Sequence, residues 1–339
     1  MQEAIGASKG ALGTALLFTS VGSVPAMFLL AAPAVRRFGA RAVAVGCAAF
    51  AVATTLPGLV TSLPLLMLAL VLAGAASGVF DVAINANAGR IEQLSGRRLM
   101  PAAHGTYSLG VLAGAVAAGF ARNAGVGREA ILLGVSVAVA LIGLAALGDH
   151  ATVTPDAPQS GFRLAHGLVL IGLVGAAAFV VEGGMESWSA LFLERQLHAR
   201  PDVSGLGPGI CGASMALGRF SGQALGRYSD RALLAGGAAL AAVGCVIAAA
   251  APNAPVGIAG FALGGIGVSL NAPVVFGVAA RRPDAGHAVA TVTTLGYLGL
   301  LGGPPRVGGV AQASSLRASF VVLAAICALV TLLARALRA

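Results

Sequence analysis

Two glutamates four residues apart, Glu182 and Glu186, have the spacing in this 339-residue chain that most directly indicates chemistry. A spacing of four places both carboxyl groups on one face of a helix. Of the twelve acidic residues, only these two and Asp81 lie well inside apolar runs. Burial and mutual repulsion favour one carboxyl group holding a proton, as proton coupling requires. The alternative is that both lie in water at the end of the run and have no special role.

Polar residues occur in other apolar runs as well. Asp81 and Asn85 are four residues apart, and Asn271 lies alone in a later run. A polar side chain inside such a run must face other polar groups or water, because burying it without a partner is costly. Together with the glutamates, these residues predict a pathway for a solute or a proton. Hydrogen bonding between helices is the alternative for Asn271.

The elements that carry these residues are predicted to be membrane-spanning helices. Apolar residues make up 58% of the chain and charged residues 10%, whereas soluble domains carry about 25% charged residues. A span needs about 20 apolar residues, and continuous rather than alternating runs indicate helices instead of barrel strands. Eleven such runs occur, at about 10–34, 42–60, 63–86, 102–121, 130–148, 165–190, 204–225, 232–251, 255–279, 287–309 and 317–336.

The arginines predict the orientation of the chain. If the loop at 35–41 is cytoplasmic, fourteen of the 21 basic residues lie on the cytoplasmic side. This excess follows the positive-inside rule and places the C-terminus of a multi-pass membrane protein in the cytoplasm. The formal charge of +9 is then a membrane feature, since no basic stripe with interleaved aromatic residues indicates nucleic-acid binding.

The run that contains the glutamates carries two further signals. Gly183 and Gly184 separate the two carboxyl groups and weaken the helix, which favours a break at this point. Trp188 lies near the end of the run. We expect it to anchor the span at the membrane surface rather than to stack on a ligand.

Sequence signatures of enzymes and metal sites are absent. The chain has no Gly-x-x-x-x-Gly-Lys-Ser/Thr phosphate loop, no His-Glu-x-x-His and no Gly-x-Ser-x-Gly. Its five histidines are scattered and each of its four cysteines lies alone in an apolar run. We therefore expect neither a metal site nor a cofactor, and a membrane-embedded enzyme would need convergent catalytic groups that the sequence lacks.

The longest polar stretch, from Asp149 to Arg163, divides the chain into halves that are related in sequence. The motif Leu-Gly-x-Leu-x-Gly at Leu109–Gly114 recurs 189 positions later at Leu298–Gly303. Duplicated halves are typical of transporters built from structural repeats. We predict an N-terminal helical bundle of about five spans at 1–148, a central cytoplasmic loop at 149–163 and a C-terminal bundle of six spans at 164–339.

Three charged or titratable residues lie at a similar depth in the cytoplasmic halves of their runs: Asp81, His104 and Arg219. A carboxylate, a histidine and an arginine in one layer predict a latch between the two bundles, which would bias the side on which the pathway opens. The alternative is that each residue pairs within its own half or extends to the membrane surface.

Two short loops resemble a signature of the major facilitator superfamily, in which Gly-x-x-x-Asp-Arg leads into a glycine and basic residues. The copy Gly226-Arg-Tyr-Ser-Asp230-Arg231 lacks the trailing glycine and basic pair. The first-half copy keeps Arg37-Phe38-Gly39 and has Arg36 where the family has aspartate. The resemblance implies that Asp230 holds neighbouring helix ends together at the cytoplasmic gate, with Arg37 and Arg231 in the same loops.

The chain is most similar to a branch of small bacterial inner-membrane members, distantly akin to fucose–proton symporters. The resemblance covers essentially the whole chain. The blocks that carry it are Asp81–Asn85, His104–Gly110, Glu182–Leu193 and Gly296–Pro305. Members of the family have twelve spans, so the resemblance implies that this chain lacks the first.

The resemblance implies an all-α bundle of about eleven transmembrane helices in two pseudo-symmetric halves. It further implies a monomeric secondary transporter in the lipid bilayer, which moves a small solute by alternating access with protons coupled through Glu182, Glu186 or Asp81. Efflux of a drug or metabolite and uptake of a sugar-like solute are both open. A truncated, non-transporting relative that acts as a membrane scaffold is the alternative.

Overall fold

The structure is a computed structural model that describes residues 5–95, 100–145, 169–221, 228–281 and 285–336. The described residues form helices joined by short turns and contain no strand. The predicted central loop at 149–163 lies outside the described residues, and so do Gly226 and Arg227 of the second-half loop signature.

Every apolar run predicted from the sequence falls on a helix or on two consecutive helices. The helices are α1 (Lys9–Leu29), α2 (Ala31–Phe38), α3 (Ala42–Leu59), α4 (Leu63–Ser95), α5 (Met100–Asn123), α6 (Arg128–Ala145), α7 (Val169–Gln196), α8 (Pro201–Ser204), α9 (Leu206–Ser221), α10 (Asp230–Ala250), α11 (Ala254–Val268), α12 (Asn271–Ala280), α13 (Ala285–Ala313) and α14 (Leu316–Ala336). The predicted class, an all-α membrane protein, is confirmed.

Within the described residues, eight helical stretches are long and apolar enough to cross a membrane. They lie in α1, α3, α4, α6, α7, α10 and α14, and in α11 together with α12. The remaining predicted runs lie in α5, α9 and α13. Of these, α9 has only 16 residues, and α13 carries Arg306 and three threonines among its apolar residues.

The first compact unit of the chain comprises Met1–Thr106 and Ala124–Pro158. Here α1 packs on α4, and α3 packs on both α4 and α6. The α1–α4 contact depends on Gly74, where a Cβ atom would collide with the Thr19 carbonyl group. Between α3 and α6, the Ser136 hydroxyl donates a hydrogen bond of 2.6 Å to the Ala51 carbonyl oxygen. Small residues therefore set the distance between these helices, as is typical of membrane bundles.

The second compact unit comprises Tyr107–Asn123 and Gln159–Ala339. Helix α7 packs against α9, α12, α13 and α14, so it lies at the centre of this unit. Phe192, Phe261 and Phe320, from α7, α11 and α14, form a buried aromatic cluster with ring centroids 4.8–5.9 Å apart.

The boundary between the two compact units lies within α5, because the second part of this helix belongs to the second unit. The domain division drawn from the sequence repeat stays a prediction.

Two arginines show that the sequence repeat extends to structural detail. The Arg128 guanidinium donates a 3.0 Å hydrogen bond to the Val60 carbonyl oxygen, just after the end of α3. The Arg317 guanidinium donates bonds of 2.5 and 2.8 Å to the Ala249 and Ala251 carbonyl oxygens at the end of α10. Arg317 lies 189 positions after Arg128, and Ala249 lies 189 positions after Val60. The Leu-Gly-x-Leu-x-Gly motif recurs at this same offset, so each unit carries the same arginine cap.

The helix break expected at Gly183 and Gly184 is wrong. Helix α7 continues from Val169 to Gln196. The two glycines instead make room for neighbouring side chains, since a Cβ atom at Gly183 would lie 3.1 Å from Leu300 and one at Gly184 would lie 3.1 Å from Leu323. A break occurs instead between α11 and α12, where the Ser269 hydroxyl donates a 2.6 Å hydrogen bond to the Ile266 carbonyl oxygen.

Candidate functional site

A row of polar side chains lies between α7 and α9 in the second unit. The two helices run antiparallel, since Gly207 at the start of α9 lies against Ser189 near the end of α7. Further along, the Arg219 Nη2 atom of α9 donates a 3.1 Å hydrogen bond to Glu182 Oε1. Glu186 and Cys211 lie between these two contacts, one or two turns from each. The row therefore contains two carboxyl groups, a guanidinium, a thiol and a hydroxyl.

The Arg219–Glu182 ion pair lies deep in the unit. Glu182 is at the middle of the 28-residue α7, and the two side chains are only 27% and 16% exposed. A single charge at the centre of a span costs about 2.5–3.5 kcal/mol on insertion scales, so the pairing offsets a large penalty. The alternative, that Glu182 lies in water at the end of its span, does not fit this position, because later residues of α7 extend the helix by almost four more turns.

Glu186 shares the positive charge of Arg219 without forming an ion pair with any residue that the structure describes. Arg219 acts electrostatically on both carboxyl groups, and the two carboxyl groups act on each other. With both ionised, the three groups carry two negative charges and one positive charge. The cluster therefore has one more acid than it can neutralise by itself.

Two neutral polar groups adjoin the cluster. The Cys211 thiol of α9 is 1% exposed and lies close enough to Glu182, Glu186 and Arg219 to interact with each of them. The Ser189 hydroxyl, one helical turn beyond Glu186 on the same face of α7, is fully buried. Its oxygen has no hydrogen-bond partner among the described residues. Buried polar atoms are normally partnered, so Ser189 is a candidate contact for a bound solute.

The expectation that Trp188 anchors α7 at the membrane surface is wrong. Its side chain is 1% exposed and lies in the main apolar core of the second unit, together with Phe192 and Met185. Membrane-surface anchoring requires an indole that faces the lipid headgroups. At this depth the ring instead fills volume beside the acidic face of α7.

In the first unit, Asp81 and Asn85 form a local pair on α4. The Asn85 Nδ2 atom donates hydrogen bonds of 3.1 Å to Asp81 Oδ1 and 2.9 Å to the Asp81 carbonyl oxygen. Asp81 is exposed. His104 lies in the first turns of α5, and its side chain is outside the described residues. The predicted latch therefore stays a prediction, although Asp81 and Arg219 each have a partner within their own unit.

The loop-signature residue Asp230 forms an ion pair with Arg281. Asp230 is the first residue of α10, where a negative charge is favoured by the helix dipole, and Arg281 follows the last residue of α12. The pair therefore joins two helix ends, as the loop signature implies. Arg37 and Arg231 are exposed. Sequence reasoning missed Arg281, which it counted only as part of the positive charge of a loop.

Asn271 is the first residue of α12, directly after the helix break, and is 2% exposed. Its Oδ1 atom has no hydrogen-bond partner in the part of the chain that the structure describes. The same atom lies 3.4 Å from the position that a Cβ atom would take at Gly237 of α10. The amide is thus directed toward α10, and its place in a substrate pathway stays a prediction.

Similarity to other proteins supplies the family. No protein-family model matches the chain. An MFS-type transporter of Yersinia pestis, described as uncharacterised, is 34% identical over 98% of this chain and 88% of its own length. The chain belongs to the major facilitator superfamily.

Further relatives agree with this membership. A transporter of Sinorhizobium fredii, also described as uncharacterised, is 30% identical over 85% of the chain and 78% of its own length. The membrane protein MosC of Rhizobium meliloti is 31% identical over 76% of the chain and 64% of its own length. The resemblance to the major facilitator superfamily is confirmed, and these relatives are transporters and membrane proteins rather than enzymes.

Solved structures of major facilitator transporters have the same fold. A bacterial homologue of the human lysosomal transporter Spinster superposes with a TM-score of 0.75 at 16% identity, over 98% of this chain and 90% of the homologue. The nucleoside transporter NupG gives 0.72 at 14% identity, over 97% and 90%. The fucose:proton symporter FucP of E. coli gives 0.53 at 15% identity, over 96% and 97%. At these identities the likeness concerns the fold. The relative of 34% identity and the membrane-spanning helices make the chain a multi-pass membrane protein of this transporter superfamily.

Proposed function

We propose that this chain is a secondary active transporter that moves a small polar or amphipathic solute across the bacterial cytoplasmic membrane in exchange or in company with protons. The observation that supports the proposal is the buried Arg219–Glu182 ion pair with Glu186 one turn away. Ionisable groups at the centre of a span are expensive and are typical of proton and substrate pathways. Asp81, Asn85 and Asn271 belong to the same proposed pathway.

Competition of two carboxylates for one guanidinium provides the coupling step. While Glu182 is ionised, it holds Arg219 through the 3.1 Å hydrogen bond. A proton on Glu182 weakens that bond, so Arg219 turns toward Glu186 or toward a solute. Each protonation state thereby favours a different arrangement of α7 and α9, which shifts the population between conformations open to opposite sides of the membrane.

Cytoplasmic placement of both loop signatures and of the C-terminus is part of the proposal. The two-to-one excess of basic residues on that side supports it. In this orientation the Asp230–Arg281 pair closes the cytoplasmic ends of α10 and α12, with Arg37, Arg231 and His104 on the same side. We further propose that the transporter works as a monomer, as its relation to the superfamily suggests.

Proton flux tests the proposal. The purified chain is reconstituted into vesicles with an internal pH-sensitive dye, and a panel of sugars, amines, organic acids and aromatic drugs is added outside. We expect at least one solute to drive proton movement, and we expect Glu182→Gln and Asp81→Asn each to reduce its rate at least about tenfold, because each variant removes a titratable carboxyl group from the pathway.

Glu129→Gln is the matched control, since Glu129 is a half-exposed residue at the start of α6. Its proton flux should equal that of the unmodified protein. Unchanged flux in both Glu182→Gln and Asp81→Asn would remove the coupling hypothesis.

A further inference from the structure

We infer that the solute is a monovalent organic cation, which occupies the polar row between α7 and α9 and exchanges there for a proton on Glu186. The inference rests on the proposed transport function and adds to it the chemical class of the substrate. It is carried by the unequal number of acids and bases in the row, by the buried and unpartnered Ser189 hydroxyl, and by the position of Glu186 between that hydroxyl and the Arg219–Glu182 pair.

The polar row has one more carboxyl group than it has positive charges. Arg219 forms its ion pair with Glu182, so its positive charge is already matched. Glu186 lies one turn along the same helix face and makes no ion pair with any described residue. Glu186 is only partly exposed, and an ionised Glu186 would leave the row with one unmatched negative charge, which is costly in apolar surroundings. The carboxyl group must therefore carry a proton or be matched by a cation that comes from outside.

No other described cation supplies that counter-charge. The helices packed on α7 are α8, α9, α11, α12, α13 and α14, and Arg219 of α9 is the positive group that acts on Glu186. Arg306 of α13 is exposed, and Arg317 of α14 is bound to carbonyl oxygens of α10.

The other helices packed on α7 add no cation among the described residues. Helices α11 and α12 carry no titratable residue, and Asp202 of α8 pairs with Arg200. The side chains of His287 and Tyr297 lie outside the described residues.

The neutral groups of the row fit an organic cation, whether or not it carries a hydrogen-bond donor. The Ser189 oxygen is fully buried, has no partner among the described residues and lies one turn from Glu186 on the same helix face. It is an acceptor for an ammonium or hydroxyl group of a solute bound at Glu186. The Cys211 thiol lies on the opposite helix, close to both carboxyl groups. Sulfur is polarizable and packs well against the hydrocarbon part of an organic cation.

The exchange is balanced in charge. In the proton-loaded state the Glu186 carboxyl group is neutral and its Oε–H bond is intact. When the cation arrives, that bond breaks, the proton leaves to water on the same side, and the carboxylate faces the bound cation. One positive charge thus replaces another, whereas a neutral solute would not displace the proton. An anion would compete with Glu182 for Arg219 and add a second unmatched negative charge.

The test compares organic cations with an uncharged isostere of one of them and with an anion. Vesicles that contain the full chain and a pH dye are challenged with choline, with its uncharged isostere 3,3-dimethylbutanol, with the aromatic cation 1-methyl-4-phenylpyridinium, and with lactate as an anion. We expect at least one of the two cations to drive protons in the opposite direction, at a rate at least about tenfold above that of 3,3-dimethylbutanol and lactate. Glu186→Gln should abolish the cation-driven flux. That variant keeps the Arg219–Glu182 pair, so its folding is checked by an unchanged melting temperature, and Glu129→Gln again serves as the control.

The outcomes separate this inference from the proposed function. If proton movement is driven by the neutral isostere or by lactate and not by the cations, the cation assignment is overturned and proton-coupled transport stands. If the cations drive protons equally well in Glu186→Gln, Glu186 is not the exchange site. If no solute in this set or in the broader panel moves protons, both the assignment and the proposed function fall.

Discussion

At the scale of single residues, two ion pairs of the second unit join residues that are far apart in sequence. Arg219 pairs with Glu182, 37 positions earlier, and Asp230 pairs with Arg281, 51 positions later. Charges without a partner are costly in an apolar interior. Glu186 makes no ion pair with a residue that the structure describes, and this imbalance is the basis of the proposed exchange.

The arginine cap on α10 leads to a prediction about stability. Arg317→Gln removes two charge-assisted hydrogen bonds to the Ala249 and Ala251 carbonyl oxygens. Hydrogen bonds to charged groups contribute about 1.5–3 kcal/mol each, and the last carbonyl groups of α10 would lose their partners. We expect the melting temperature of the protein in detergent to fall by several degrees. It can be followed with a thiol-reactive dye, since all four cysteines are buried and free in the folded state.

Arg36→Gln is the matched control for this prediction. Arg36 lies exposed on α2, so its removal should leave the melting temperature unchanged. Equal melting temperatures for Arg317→Gln and Arg36→Gln would show that the cap does not stabilise α10.

At the scale of elements, close contacts between helices depend on glycine. The two copies of the repeated motif Leu-Gly-x-Leu-x-Gly have different roles, because different helices surround them. In the second copy, a Cβ atom at Gly299 would collide with the Ala176 backbone of α7, and one at Gly303 would lie 3.1 Å from the Val180 carbonyl oxygen. In the first copy, the equivalent positions Gly110 and Gly114 have no atom within 4 Å of the added Cβ. The same motif therefore packs α13 tightly on α7 and leaves space beside α5.

This contrast predicts opposite effects for the same substitution. Gly299→Ala forces α13 away from α7, because the obstructing atoms belong to the backbone and cannot rotate away; overpacking of this kind costs about 1–3 kcal/mol. Gly110→Ala meets open space, and alanine is favoured over glycine in a helix by up to about 1 kcal/mol. Thermal unfolding in detergent should show a lower melting temperature for Gly299→Ala and an unchanged or higher one for Gly110→Ala. A loss of stability in Gly110→Ala equal to that in Gly299→Ala would contradict this packing account.

At the scale of the whole molecule, the helices of each unit follow the pattern of a duplicated membrane bundle. The arginine caps and the Leu-Gly-x-Leu-x-Gly motif recur at one common offset, which indicates that the halves descend from one arrangement of helices. The distribution of basic residues then predicts which ends of these helices lie in the cytoplasm.

Cysteine labelling in intact cells tests this orientation. Thr61, in the turn between α3 and α4, and Arg36, on α2, are both exposed. We expect Thr61→Cys to react with a membrane-impermeant maleimide in intact cells, because the proposed topology places this short uncharged turn outside the cytoplasm. Arg36→Cys should react only after the membrane is permeabilised. The buried native cysteines give little background, and the reverse labelling pattern would invert the proposed topology.

The amino-acid sequence by itself predicted the helices, the internal repeat and the family. It predicted eleven spans, and eight helical stretches of the described residues are long and apolar enough to cross a membrane. These features depend on composition along the chain and on local spacing, and a run of about 20 apolar residues is sufficient to predict a span. Residue type and spacing were also sufficient to single out Glu182 and Glu186, because two carboxyl groups four residues apart in an apolar run are costly without a role.

Only the tertiary structure decided which groups these residues meet. It paired Arg219 with Glu182, assigned Arg281 to Asp230, placed Trp188 in the apolar core and moved the helix break from α7 to the junction of α11 and α12. The physical reason is that partners depend on which helix faces pack together and how closely. Small residues set the distance between two packed helices. Their contacts cannot be derived from the local sequence, as the two copies of the Leu-Gly-x-Leu-x-Gly motif show.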